Sequence, residues 1–327
     1  MARRKQDIEL TPIMPRTFLA LAHPTLLQRP PQGRDWIHEI KFDGYRFQLN
    51  VAGGKATWFT RNGHDWTEKL PRHSAAAAGL EDCILDGELC ALDAAGQPAF
   101  SALRKALNAR TSGSLVYFAF DVLWRGPTDL RPYSLATRKK ALQEILAAAG
   151  GGLANRIRYV DHFDDLPAAQ LLEAACRMKL EGIVSKKLGE NYRAGRTSVW
   201  AKVKCRPSQE VVVGGWRSGP DGRFKGLLTG VYERGELRYA GALKTGFADR
   251  QLQDLRPRLK ALARPRSPFV GAQPRADRGD EVHFVEPRLV AAAEIAEWTD
   301  SGRLRQASFK GLREDKEPLE VRRERPA

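Results

Sequence analysis

Nowhere does this 327-residue sequence hold an apolar run near the roughly 20 residues that span a bilayer, so no membrane helix is expected. Its start, MARRKQDIELTPIMP, has basic residues but no apolar segment behind them, and no secretory signal is read there. The 4 cysteines, Cys83, Cys90, Cys176 and Cys205, form no CxxC pair and have no histidine at zinc-finger spacing. They are expected as free thiols in a reducing compartment. The 6 histidines are scattered and none forms HxxxH, which argues against a histidine metal centre. GxxxxGK[ST] and GxGxxG are both absent, so neither common phosphate loop is present. No internal repeat is visible.

What the chain has in excess is positive charge. The formal net charge is +15, of which +6 lies between Cys205 and the end and +9 before it. Both halves are basic, which suits a polyanion such as nucleic acid and also simple solubility. The length allows two domains, each with its own core.

Residues 1–34, rich in Pro and Arg, read as an extended leader. From Trp36 to about Val51 the alternation predicts two strands around the Asp43-Gly44 turn, and QLNVA and KATWFT predict a second pair around Gly53-Gly54. CILDGELCAL and the ten-residue run LVYFAFDVLW read as strands. FSALRKALNA, LATRKKALQEILAAA (ended by Gly150-Gly151-Gly152) and PAAQLLEAACRMK read as helices, and GIVSKK as a short strand. After Lys204-Cys205-Arg206-Pro207 short strands take over: EVVVGGW, LLTGVYE, ELRYAGAL and EVHFVE, a pattern for a small antiparallel barrel. LRPRLKALARPRSPF reads as a basic helix or loop, AAAEIAEW as a helix, and the charged tail from Glu317 as disordered. Without regular βαβ alternation, a plain Rossmann sheet is not expected.

Residues 38–46, HEIKFDGYR, put Glu39, Lys41 and Asp43 on one face of a strand, with Ile40 and Phe42 on the other. That pattern fits a hairpin with a solvated charged face, and equally a lysine held on a rigid wall. Further short motifs follow in order: TRNG at 60–63, DGE at 86–88, YFAFD at 117–121, EGIVSK at 181–186, WAKVK at 200–204 and LREDK at 312–316. The ordered set is far more specific than KxDGxR alone.

This set resembles the covalent nucleotidyltransferases: ATP-dependent DNA ligases, RNA ligases and mRNA capping enzymes. It is most similar to the ligase domain of bacterial ligase D, the end-joining ligase that works with Ku. The resemblance covers roughly residues 15–317. It implies an α+β chain: a nucleotidyltransferase domain of ATP-grasp-like antiparallel sheets over 35–205, an OB-fold barrel over 206–316, and a disordered tail over 317–327.

The implied chemistry has three steps. A lysine takes AMP from ATP as a phosphoramidate, AMP passes to the 5′-phosphate of a nick, and the 3′-hydroxyl displaces AMP. By resemblance Lys41 is the nucleophile, and crowding by other cations and a metal is expected to lower its pKa. Glu39 would read the adenine edge, and Phe120 would stack on the base; by alternation Phe118 shares its face. Arg46 and Arg61 would contact ribose, phosphates or the DNA end. Glu88 would hold the ribose and, with Glu181, a divalent cation, Mg²⁺ or Mn²⁺, since carboxylate and phosphate oxygens are hard ligands. Lys186, Lys202 and Lys204 would neutralise phosphates. Arg313, Asp315 and Lys316 match the last motif, which in the family swings onto the ATP pyrophosphate, implying a hinge near Cys205–Ser208.

The implied partner is nicked or broken double-stranded DNA, with Ku and a separate repair polymerase as candidates, for a monomer in the bacterial cytoplasm at the nucleoid. The chain reads as a stand-alone catalytic core or as a piece of a longer ligase. The rivals are RNA ligation or guanylyl transfer by the same lysine chemistry, and a binding protein that kept the fold without catalysis. An NAD-dependent ligase would need an upstream nucleotide-capturing domain and a four-cysteine zinc module, and neither is present in the sequence.

Overall fold

A computed structural model describes residues 14–325, apart from 95, 109–114, 151, 152, 154, 277 and 278. In chain order the first domain runs β1 (Ala22–Leu26), β2 (Trp36–Lys41), β3 (Tyr45–Ala52), β4 (Lys55–Thr60), α1 (Pro71–Ala77), β5 (Cys83–Ala91) and α2 (Phe100–Asn108). It continues with β6 (Leu115–Arg125), β7 (Thr128–Asp129), α3 (Leu135–Ala148), β8 (Ile157–Tyr159), β9 (His162–Phe163), α4 (Ala168–Arg177), β10 (Gly182–Lys187) and β11 (Gly195–Lys204). The second domain holds β12 (Ser208–Ser218), β13 (Phe224–Glu233), β14 (Glu236–Leu243), α5 (Asp249–Ala261) and β15 (Ala263–Arg264). It ends with β16 (Glu281–Glu294), β17 (Glu297–Trp298), β18 (Leu304–Arg305) and β19 (Ser308–Leu312).

Two sheets form the first domain. One has the order β1-β11-β10-β2-β9, the other β4-β3-β5-β6-β7 with β8 beside β6. Alternation decides what each face does. Tyr45, Phe47, Leu49 and Val51 of β3 and Leu85 and Leu89 of β5 are buried in the main core, with Leu103, Leu142 and Ile145 of the helices. Arg46 and Glu88, directly paired across β3 and β5, turn to the opposite face. Ile84, Leu123, Tyr192, Val199 and Trp200 fill a second core. In the first sheet, Ile40, Ile183 and Val203 form one cross-strand row packed against α4.

The second domain is a six-stranded sheet, β14-β13-β12-β16-β15 with β19 also on β16. A bridge between Thr245 and Ser308 draws its edges together into a barrel around Val211, Val213, Leu227, Val285 and Phe309. The connector between domains is the three residues between Lys204 and Ser208.

Several elements differ from the sequence reading. Asp43-Gly44 is not a hairpin turn: β2 pairs with β10 and β9, β3 with β4 and β5, so the chain crosses between sheets there. Gly44 permits the crossing, because a Cβ would lie 2.3 Å from the Leu89 carbonyl oxygen and 2.7 Å from Cys90 Sγ. Of the expected leader, residues 1–13 lie outside the described residues. The rest includes β1, which pairs in parallel with β11, and the segment before it satisfies polar groups of β3: Leu19 N–H donates to Gln48 and Asn50 donates to the Thr17 carbonyl.

AAAEIAEW is not a helix; Ala291–Glu294 continue β16, held by β12 on one side and β19 on the other, and sheet pairing overrides alanine's helix propensity. α3 ends at Ala148 and Gly150 has φ +78°, while Gly151 and Gly152 lie outside the described residues. Cys176 and Cys205 are not free thiols but a disulfide, since the end of α4 meets the end of β11 with Cα atoms 5.2 Å apart; Cys83 and Cys90 are free and buried.

Candidate active site

A cleft of about 290 Å³ opens between the two sheets and the segment that follows the barrel's last strand. One wall is the face of the first sheet opposite the Ile40–Ile183–Val203 row. Lys41, Gly182 and Lys204 are directly opposite one another across β2, β10 and β11, as are Glu39, Val184 and Lys202. The shared charged face expected from HEIKF is therefore real for Glu39 and Lys41. Gly182 has φ +150°, and a Cβ there would meet the Val203 carbonyl oxygen at 2.0 Å; only glycine lets β10 start there, just after Glu181.

Lys41 Nζ donates to Glu181 Oε2 at 2.7 Å. Burial alone would lower its pKa, but the carboxylates of Glu181, Glu88 and Asp43 outweigh burial and raise it. The expected lowering is thus reversed, because its close neighbours are acids rather than cations. Burial pushes the Glu88 carboxyl up to about 7, against the pull of Lys41 and Arg313. Its hydrogen bond comes from Gly44 N–H at 3.1 Å.

Glu39 lines the cleft, with Lys139 Nζ on Oε1 and Lys186 Nζ on Oε2, both at 2.7 Å. Lys139 comes from α3, also donates to the Val160 carbonyl at 2.9 Å, and lies 4.2 Å from the Tyr159 ring centre. Lys186 does not join Lys202 and Lys204. Its ammonium is buried 4.3 Å from the ring centres of both Phe120 and Trp200, because Glu39 draws it inward. Phe120 lines the cleft, whereas Phe118 is buried and stacked on Phe42 with ring centres 4.1 Å apart. Arg46 is held fast: it forms a bidentate pair with Asp86 at 2.9 and 2.6 Å and donates to the Ala22 carbonyl at 2.7 Å. Its guanidinium thus braces the wall instead of standing free for a phosphate.

Arg61 lines the cleft beside His23 with no ion pair among the described residues. Burial and the neighbouring charge of Arg46 lower its pKa. Burial, then Arg61, Arg46, Lys316 and Lys202, hold the His23 imidazole down at about 3, so the ring is neutral. Lys202 and Lys204 both bind Glu324, at 2.7 and 2.8 Å. The tail from Glu317 is therefore ordered over its described part, contrary to the compositional reading: Val321 is buried and its carbonyl accepts from Tyr232 N–H. Residues 326 and 327 lie outside the described residues.

The barrel's last motif is folded onto this cleft. Arg313 pairs bidentately with Asp315 at 2.8 and 2.7 Å and lies against the rings of Tyr45 and Phe100. Lys316 lies 3.3 Å from Glu210, and Lys310 reaches across to Asp43 at 2.8 Å. All thirteen residues expected from sequence line or adjoin the cleft, Lys186 and Arg46 in altered roles. His23, Asp86, Lys139, Glu210, Lys310 and Glu324 escaped the sequence reading. Asp86 lay inside the quoted DGE, and its alternation with Glu88 was the signal that could have found it.

Two carboxylates, Glu88 and Glu181, meet at Lys41, and among the described residues no cluster of three His, Cys, Asp or Glu is placed to bind a metal. Such a hard, incomplete donor set fits Mg²⁺ or Mn²⁺ completed by phosphate oxygens and water. No helix among the described residues is long and apolar enough to cross a membrane.

Comparison with known proteins agrees with this geometry. The family model of the ATP-dependent DNA ligase domain matches residues 20–204, and that of the ATP-dependent DNA ligase C-terminal region matches 220–316. The chain is 38% identical over 333 residues to the multifunctional non-homologous end joining protein LigD of Pseudomonas aeruginosa, covering 100% of this chain and 39% of that protein. It is 37% identical over 299 residues to LigD of Mycolicibacterium smegmatis, covering 89% of this chain and 37% of that one. The chain thus spans about two fifths of these relatives' length. Among solved structures, a mycobacterial DNA ligase D complexed with ATP and MES superimposes with a TM-score of 0.62 at 33% identity, over 92% of this chain and 98% of that one. The two domains are accordingly a nucleotidyltransferase domain and an OB-fold domain. With both of its domains matched in order and the motif lysine on the cleft wall, the chain belongs to the ATP-dependent DNA ligase family.

Proposed function

We propose that this chain seals 5′-phosphate/3′-hydroxyl nicks in double-stranded DNA through AMP bound to Lys41. The observation that carries this is the single wall on which Lys41, Lys202 and Lys204 stand in adjacent cross-strand rows, with Glu181 on the nucleophile. In the first step Lys41 Nζ bonds to the α-phosphorus of ATP as the bond to the pyrophosphate oxygen breaks. AMP then moves to the DNA 5′-phosphate, Lys41 leaving as a protonated amine, and the 3′-hydroxyl displaces AMP.

Lys41 must first lose the proton that Glu181 helps to hold. Glu88 and Glu181 would hold a Mg²⁺ or Mn²⁺ ion, whose charge offsets the carboxylates and favours the neutral amine. Lys202 and Lys204 take phosphate oxygens, Arg61 is the remaining anion receptor, and Phe120 offers a face to the adenine. Arg46, with Asp86, fixes the wall, and Glu39 holds Lys186 beneath the base. Arg313, Asp315 and Lys316 bring the OB domain over the triphosphate, and residues 205–207 form the hinge on which it moves away. The names of the relatives support a role in non-homologous end joining, and the proposal adds Ku and a separate polymerase as partners at the bacterial nucleoid.

The test is sealing of a nicked duplex with ATP and Mg²⁺ or Mn²⁺, with Lys41→Ala, GTP, NAD and a nicked RNA duplex run beside it. Sealing of nicked DNA with ATP, lost in the variant, is expected. Sealing of RNA alone, or dependence on GTP, would overturn this reading.

A further inference from the structure

The two-lysine subsite already has an occupant. Glu324 places one carboxylate oxygen 2.7 Å from Lys202 Nζ and the other 2.8 Å from Lys204 Nζ. Lys204 also donates to the Ser208 carbonyl at 3.1 Å and the Ser208 hydroxyl at 3.0 Å. An ammonium has three N–H donors, so those of Lys204 are all committed. A phosphate oxygen cannot gain a hydrogen bond from Lys204 while Glu324 and Ser208 both keep theirs.

The carboxylate is delivered deliberately by the segment that follows the last OB motif. Val321 is buried in the barrel core and its carbonyl accepts from Tyr232 N–H at 2.8 Å. Gln209 grips the backbone on both sides of residue 323, accepting from Glu324 N–H at 2.9 Å and donating to the Arg322 carbonyl at 2.9 Å. Within VRRER, Glu324 is the one acid among Arg322, Arg323 and Arg325, so no neighbouring side chain could take its place between two lysines. Its side chain is 23% exposed, so water and an incoming anion can reach it.

We propose that Glu324 is a displaceable stand-in for a phosphate, tethered to the OB domain, and that its removal from Lys202 and Lys204 sets the affinity for the ATP phosphates. This rests on the reading of those lysines as phosphate ligands. An occupant tethered so close competes at high effective concentration, and the observed dissociation constant is the intrinsic one divided by the fraction of sites it leaves free. Because Glu324 is carried by the OB domain, phosphate entry also loosens one contact between the domains. Swinging of that domain would thereby be linked to nucleotide arrival.

The experiment is equilibrium binding of α,β-methylene-ATP, which cannot lose pyrophosphate, to the full chain with Mg²⁺. Glu324→Gln keeps the shape and removes the charge; Glu324→Ala removes the side chain, and a thermal melt of each shows that it folds. Both variants are expected to bind about three- to tenfold more tightly, which is about 0.7–1.4 kcal/mol. The gain is expected to shrink in Lys204→Ala and at high salt, where pairing at a partly exposed site is screened. Unchanged or weaker binding in both variants would overturn the proposal. If Lys202→Ala and Lys204→Ala instead leave binding of the analogue unchanged, the phosphate reading of the lysines fails, and the proposal fails with it.

Discussion

Lys139 gives the sharpest stability prediction. It was read only as part of a helix, yet its side chain and that of Glu39 are each just 3% exposed. Lys139→Met keeps the stem's volume and deletes the ammonium. Glu39 loses a charge-assisted hydrogen bond of 2.7 Å, and the Val160 carbonyl loses its 2.9 Å donor. A hydrogen bond to a charged group contributes about 1.5–3 kcal/mol, and an orphaned buried acceptor costs about 1–3 kcal/mol. Lys186 stays on the other oxygen and limits the damage, so a loss of about 3–4 kcal/mol is expected, within the range for breaking a buried pair.

Urea unfolding of the two variants and wild type measures it. Lys139→Arg, which retains the charge, should recover more than half. A double-mutant cycle with Glu39→Gln should show a coupling of about 2 kcal/mol, since the two side chains share a buried charge-assisted hydrogen bond of 2.7 Å. A loss under about 1 kcal/mol with coupling near zero would refute the claim that Lys139 holds Glu39.

Gly44→Ala should destabilise the chain by about 2–4 kcal/mol, because the crossing over β5 has no room for a Cβ, and an unchanged urea midpoint would contradict that packing. Glu88 has a folded pKa raised to about 7 from 4.5, so its contribution to stability is full below 4.5 and is lost as pH rises through 7. Thermal melts at pH 5.5 and 8 should differ less in Glu88→Gln than in wild type; equal differences would contradict the shift. The Cys176–Cys205 bond closes a loop with a sequence separation of 29. Loop closure of that size is worth about 3.5 kcal/mol, so dithiothreitol should lower the urea-unfolding free energy by about that much. Thiol titration of unfolded, unreduced protein should find the two free cysteines, and finding all four would remove the bond.

The sequence was most legible where periodicity and chemistry coincided. Alternation in HEIKF placed Glu39 and Lys41 on one face because β2 is a regular interior strand. The ordered motifs located the cleft because each lies on or beside a strand whose cleft-facing side the two sheets bring together. Asp43-Gly44 misled because turn chemistry does not reveal whether the next strand joins the same sheet. Lys139 and Glu324 were invisible for another reason: a lysine on a helix and a glutamate among arginines look solvated until packing supplies their partners. AAAE was misread because alanine's helix preference yielded to two flanking strands, and the tail because composition says nothing of the apolar slot that Val321 fills.

The central claim is a covalent bond between AMP and Lys41. The direct measurement is transfer of label from ATP labelled at the α-phosphate, with Mg²⁺ or Mn²⁺, to denatured protein, followed by peptide mapping. The account predicts acid-labile label on the peptide carrying Lys41, from ATP but not GTP or NAD, and none on Lys41→Ala. Label on another residue, or none on protein freed of bound nucleotide with either metal, would contradict it.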